Sequence, residues 1–240
     1  MFRLIKFCAR FDFEIHHPTF KALLSCKGEI LKSSSVRIFE ELLRMLESGS
    51  SKSFFHLLNE YGLLKSLTPT LAVYLEASDN DSLKLLGVID DEVRKTGSNI
   101  DRALLMASLI FPLFKLHIEA KNQAQEKALH LGQITECAHK TIDEIFSPFF
   151  KLPRRMRGVM GSILSCQYRF IPVDGRQIRK PRAPKDSSFP KALELLKYRA
   201  IVDPELLPQY TLWTEAAFIA HGEGDSLKRK RRRKRRKRPE

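Results

Sequence analysis

Near the carboxyl terminus of this 240-residue chain stand eleven consecutive basic side chains: Lys228, Arg229, Lys230, Arg231, Arg232, Arg233, Lys234, Arg235, Arg236, Lys237 and Arg238. Cations at that density bind a polyanion, and the chemistry they offer is phosphate neutralisation with release of counterions. The run carries most of the formal net charge of +14, because residues 1–227 hold 31 basic and 27 acidic side chains. With nothing apolar to bury and like charges repelling, residues 222–240 are expected to form a disordered, solvated polybasic arm. Against single-stranded nucleic acid, affinity would fall with log[salt] at a slope of about −0.7 per phosphate contact, and the arm would not read sequence. Import signals and solubility tails share this composition.

Two other basic clusters join it as candidate RNA contacts. Arg3, Lys6 and Arg10 fall at i, i+3 and i+7 on one side of a helix, with Phe2, Ile5, Cys8 and Ala9 on the other. An ordinary solvated face fits that pattern equally well. Arg176, Arg179, Lys180, Arg182 and Lys185 lie in the stretch from Ile171 to Ser188 with Pro172, Pro181 and Pro184, which reads as a basic, proline-bearing loop.

Catalytic signatures are missing: no glycine-rich phosphate loop, no H-E-x-x-H and no G-x-S-x-G occurs. The D-x-D at Asp79-Asn80-Asp81 could hold magnesium only on a rigid strand, and among Ser78 and Ser82 it reads as a turn. Cys8, Cys26, Cys137 and Cys166 are widely spaced, without paired zinc-ligand spacing, and read as reduced, mostly buried thiols. No metal site, cofactor site or catalytic residue is therefore expected in this chain. The apolar stretch from Ala103 to Phe114, interrupted by Pro112, is too short to span a bilayer and predicts a core helix. Without a signal-peptide core at the amino terminus, a cytoplasmic protein with no membrane partner is expected.

The elements that must position these side chains are helical throughout. Periodicity predicts helices at about 2–10, 35–48, 52–61, 82–95, 99–117, 119–131, 135–146, 153–168 and 189–221, with a turn at Pro18. Gly49, Gly62, Gly97, Gly132 and Pro148 are the expected caps and breakers, and Pro190 fits a first helical turn. Leu193, Leu196, Ala200, Leu212, Trp213 and Phe218 are the expected apolar anchors of the last segment. The fold class is all-α, an elongated helical bundle or array. Its expected parts are a neck-like region at 1–69, a body at 70–170, the basic loop at 171–188, terminal helices at 189–221 and the arm.

FRLIKFCARFDFEIHHPTFKAL resembles the segment of class II tRNA nucleotidyltransferases and bacterial poly(A) polymerases that leaves the nucleotide site and enters the neck helices. SSSVRIFEELLRMLESGSSKSFFHLLNEYGLLKSLTP resembles the helical pair that follows, with Arg37, Glu40, Glu41, Gly49, Gly62, Leu63 and Pro69 in the expected order. FPKALELLKYRA resembles the late helix before the tail of poly(A) polymerases, and the basic tail favours that branch over the CCA-adding enzymes.

The resemblance implies the carboxyl-terminal neck, body and tail of a polynucleotide adenylyltransferase, which adds AMP from ATP to RNA 3′ ends. The family's metal-binding carboxylates and its base-reading Glu-Asp-x-x-Arg motif belong to a head domain, and none of those residues is in this chain. ATP and magnesium are thus expected only for a complete enzyme, and this chain alone should be catalytically inactive. Arg3 would match the next arginine after the base-reading one, and Lys6 stands where the family commonly has arginine, keeping charge without bidentate geometry. The expected partners are single-stranded RNA at its 3′ end and, where the gene is split, a separate head-domain polypeptide. A truncated record, a CCA-adding relic and a free-standing helical RNA-binding protein are the other readings.

Overall fold

The computed structural model describes residues 1–77, 80–125, 128–176, 178 and 181–220. Among them every regular element is a helix, as expected: α1 (Phe2–Phe11), α2 (His17–Cys26), a 3-10 segment (Lys27–Lys32), α3 (Ser35–Leu46), α4 (Ser51–Glu60), α5 (Leu63–Leu67) and α6 (Pro69–Leu75). There follow α7 (Asp81–Thr96), α8 (Arg102–Gln123), α9 (Leu131–Phe146), α10 (Arg154–Phe170), α11 (Phe189–Val202), a 3-10 turn (Pro204–Leu206) and α12 (207–220).

The central element is α8. Its middle is apolar all round, so it is stable only where partners cover every side, and α3, α6, α7, α9, α10 and α11 all pack on it. It is 22 residues long and apolar enough to cross a membrane by length and composition, yet most of it is buried inside the protein. Asp101 caps its start by accepting from the backbone N–H groups of Ala103 and Leu104 at 2.9 and 3.3 Å. Pro112 cannot donate to the carbonyl one turn back. Next to that gap the Ser82 hydroxyl of α7 donates to the Leu109 carbonyl at 2.6 Å, so a neighbouring helix supplies polar contact where the proline weakens the ladder. Arg199 of α11 lies 4.3 Å above the Phe111 ring and donates to Gln167 Oε1 at 2.9 Å; burial lowers its guanidinium pKa to about 10.

Several expectations are corrected. Pro18 does not make the turn but sits in the first turn of α2, where its fixed φ is an asset, and the reversal comes earlier, at Asp12 with φ 56°. The helix expected to stop near His117 continues to Gln123, and residues 124, 125 and 128–130 lie outside helices. Gly132 is not a breaker: it lies in the first turn of α9, which is capped reciprocally by His130 and Gln133. Phe218 is 80% exposed and anchors nothing among the described residues, whereas Trp213 is buried against Phe170 and Phe189 with ring centroids at 5.1 and 6.1 Å. Of the cysteines, Cys8 and Cys137 are buried, Cys166 is half-buried with its thiol pushed up to about 12 by burial, and Cys26 is exposed; all four are free.

Candidate nucleic-acid interface

α1 is held by its apolar side. Ile5 and Cys8 are buried, and Phe2 meets Phe54 of α4 with ring centroids 5.9 Å apart. Burying that side turns Arg3 and Arg10 outward as exposed side chains and leaves Lys6 half-buried at the edge. The predicted split of the helix into apolar and basic faces is therefore present.

The partner face comes from α3, where Ile38, Leu42, Leu43, Met45 and Leu46 are buried and Arg37 and Arg44 are exposed one heptad apart. Between the two helices opens a cleft of about 850 Å³ lined by Met1, Phe2, Arg3, Lys6, Arg37, Glu40, Glu41 and Arg44. The carboxylates in it are already engaged. Glu41 lies 3.8 Å from Lys6 and 3.5 Å from Arg44. Glu40 accepts from Arg102 at 3.0 and 3.1 Å while the same guanidinium grips Glu47 at 2.6 and 3.1 Å. The hydrogen bonds from Arg102 hold the Glu40 carboxyl below the usual carboxylate range. Arg3 and Arg37 make no ion pair with any described residue, so their donors are available to a ligand. An open, positively edged cleft of this kind suits a phosphate backbone better than an uncharged small molecule.

The sequence singles out Arg3 and Lys6 but not the cleft: Arg37 stands there only in the order of the resembled helical pair, and Arg44 carries no signal of its own. Their i, i+7 spacing puts them on one face, but nothing in a linear pattern says that α1 and α3 meet. Arg10 lies further along α1, outside the cleft lining.

The second basic cluster is a separate surface. Arg176 is exposed and donates to Asp174 at 2.5 Å, which leaves its charge partly answered locally. It borders a pocket of about 310 Å³ with Leu129, His130, Tyr168, Arg169 and Val173 among its lining. Arg182 and Lys185 are exposed. Arg179, Lys180 and the eleven residues Lys228 to Arg238 lie outside the described residues. The D-x-D motif shows why such a pattern is common without metal: Asn80 accepts from Ser82 N–H at 2.9 Å as the cap of α7, and Asp81 in its first turn lies 3.3 Å from Lys84. Asp79 lies outside the described residues. Among the described residues no three His, Cys, Asp or Glu side chains gather in a metal-holding group.

Residues 12–75, from the end of α1 to the end of α6, match the family model described as "Probable RNA and SrmB- binding site of polymerase A". The chain is 23% identical over 228 residues to poly(A) polymerase I of Haemophilus influenzae, covering 93% of this chain and 49% of that protein. It is 24% identical over 209 residues to poly(A) polymerase I of Salmonella typhimurium, and 24% over 210 residues to that of Escherichia coli O157:H7; each alignment covers 85% of this chain and 44% of the relative. The chain thus spans about half the length of the curated relatives it matches. Over most of its own length, it is similar in sequence to about half of each of these bacterial poly(A) polymerases.

Proposed function

We propose that this chain binds single-stranded RNA and serves as the RNA-guiding portion of a polynucleotide adenylyltransferase that acts on RNA 3′ ends in the cytoplasm. The cleft between α1 and α3 carries the reading: Arg3, Lys6, Arg37 and Arg44 border it, its carboxylates are tied to cations, and its α3 wall, with Arg37 and Arg44, falls within the matched segment while α1 directly precedes that segment. The loop cations Arg176, Arg182 and Lys185 and the run from Lys228 to Arg238 would extend the contact along the phosphate backbone.

The described acidic and amide groups of the D-x-D motif and of the cleft are engaged within the chain. Asn80 is spent on capping and Asp81 faces Lys84, while Glu40 and Glu41 face Arg102, Lys6 and Arg44. What the chain's own groups do is bind, orient and retain the strand; the transfer step would come from a domain or polypeptide carrying the catalytic carboxylates.

The test is fluorescence anisotropy with a labelled single-stranded RNA at several salt concentrations, comparing the full chain with the Arg3→Ala/Arg37→Ala variant. Each lost phosphate contact should flatten the slope of log affinity against log[salt] by about 0.7, so the double variant should bind more weakly with a slope shallower by about 1.4. Unchanged affinity and slope would remove the cleft from the RNA path.

A further inference from the structure

We propose that Phe7, Phe11 and Phe13 form a stacking platform for the bases of a single-stranded RNA, with Arg3 and Arg10 beside the rings to hold its phosphates. The inference rests on the RNA-binding reading above and adds what the strand's bases touch.

All three rings are large and apolar, and all three face solvent, with 45%, 53% and 61% of their surface exposed. Scattered exposed rings are ordinary, but these are contiguous. The Phe7 and Phe11 rings lie 6.1 Å apart with planes inclined by 22°, and Phe11 and Phe13 lie 5.5 Å apart at 29°. The third ring joins the row because Asp12 adopts a left-handed conformation, φ 56°, ending α1 and swinging the chain back so that Phe13 lies against Phe11. A row of near-parallel, half-exposed aromatic rings is a place where unpaired bases can stack, continuing the row.

The charge pattern selects the occupant. Arg3, Phe7, Arg10 and Phe11 stand at i, i+4, i+7 and i+8, so cations and rings alternate along one exposed face of α1. The Arg10 guanidinium lies 5.6 Å from the centre of the Phe11 ring, where it pairs with the ring's negative face and still offers donors outward. An apolar protein partner would cover the rings but leave the guanidinium groups without acceptors. Single-stranded RNA brings planar π-faces and phosphates together, in the alternation this face presents.

The experiment uses the full chain and its Phe7→Leu/Phe11→Leu/Phe13→Leu variant, which keeps apolar bulk but removes the π-faces. Each is titrated with a labelled decanucleotide RNA and with a sugar–phosphate decamer of the same length lacking bases. The wild type should prefer the base-bearing strand, and the variant should lose about 5- to 100-fold in affinity for it. Binding of the abasic strand, and the salt slope for both strands, should be the same in variant and wild type. Equal affinity of the wild type for the two strands, equal loss on both, or no loss at all would overturn the platform, the last outcome assigning the rings to a protein surface instead. Because abasic binding depends on phosphates alone, its presence with no base preference would sink the platform and spare the RNA reading, whereas failure to bind either strand would sink both.

Discussion

Asp90 shows how one side chain replaces a local cap. It is buried on α7, and its carboxylate accepts from the backbone N–H and hydroxyl of Ser51 at 2.9 and 2.7 Å and from the N–H of Lys52 at 2.8 Å. Those are the orphan donors at the start of α4, satisfied from 39 residues away, and the Ser50 side chain preceding them caps nothing. Burial pushes the Asp90 carboxyl upward and these three donors pull it back. Removing the acceptor leaves buried donors unpaired, so Asp90→Ala should lower stability by about 1–3 kcal/mol, read as a drop in the urea midpoint at constant m-value. A change below about 0.5 kcal/mol would mean water satisfies the helix start. At this scale the sequence disclosed types but not partners. Arg3 and Lys6 were legible because helical spacing sets them against Ile5 and Cys8. The role of Asp90 was not, since acidic residues on α7 look alike until its packing on α4 is known. Phe7 and Phe11 were passed over for a related reason: in a sequence, exposed and buried rings have the same letters.

Among elements, the seam between α9 and α10 is the closest fit. A Cβ added to Gly161 would stand 2.5 Å from the His139 ring, which burial and nearby Arg157 keep disposed to the neutral form. Gly161→Ala should therefore push the helices apart at a cost of about 1–3 kcal/mol, while His139→Ala in the same chain should recover much of it. Denaturation of the two single variants and the double variant gives the coupling directly, and additive losses would show that the contact is not what sets the spacing. The longer helices were legible, because apolar stripes of period 3.6 mark α3, α4, α7, α9 and α10, whereas α2 and the short α5 and α6 carry too few turns to show a stripe. Boundaries failed where one residue type has two uses. Pro18 opens α2 as readily as it could have closed a turn. Gly132 is tolerated in a first turn, where His130 and Gln133 do the capping. The end of α8 was misplaced because its apolar pattern changes as it emerges from the core near His117, although the helix itself continues.

For the whole molecule, cores under α1, α4 and α8 merge into one hydrophobic cluster, so the basic surfaces are carried on a shared scaffold. That the regular elements of the described residues are all helices could be read from the sequence; which cations share a surface could not, since Arg3 and Arg37 are brought together only by tertiary packing. The charge is divided between this scaffold and the run at residues 228–238. Deleting Lys228–Arg238 should weaken RNA binding and flatten its salt dependence by up to about 8 in slope if every side chain reaches a phosphate, with the thermal midpoint of the helical part unchanged. Retention of the full salt dependence after deletion would place the electrostatic contact on the scaffold alone.

Arg102 gives this scaffold a property that its position on α8 does not advertise. It does not line the cleft, yet its fork takes one edge for Glu47 and the other for Glu40, so a carboxylate of the cleft lining is neutralised by Arg102 together with Arg44. The charge of the proposed binding wall is thus set by a half-exposed residue that does not line it, and Arg102→Gln would make that wall more negative without removing an atom of its lining.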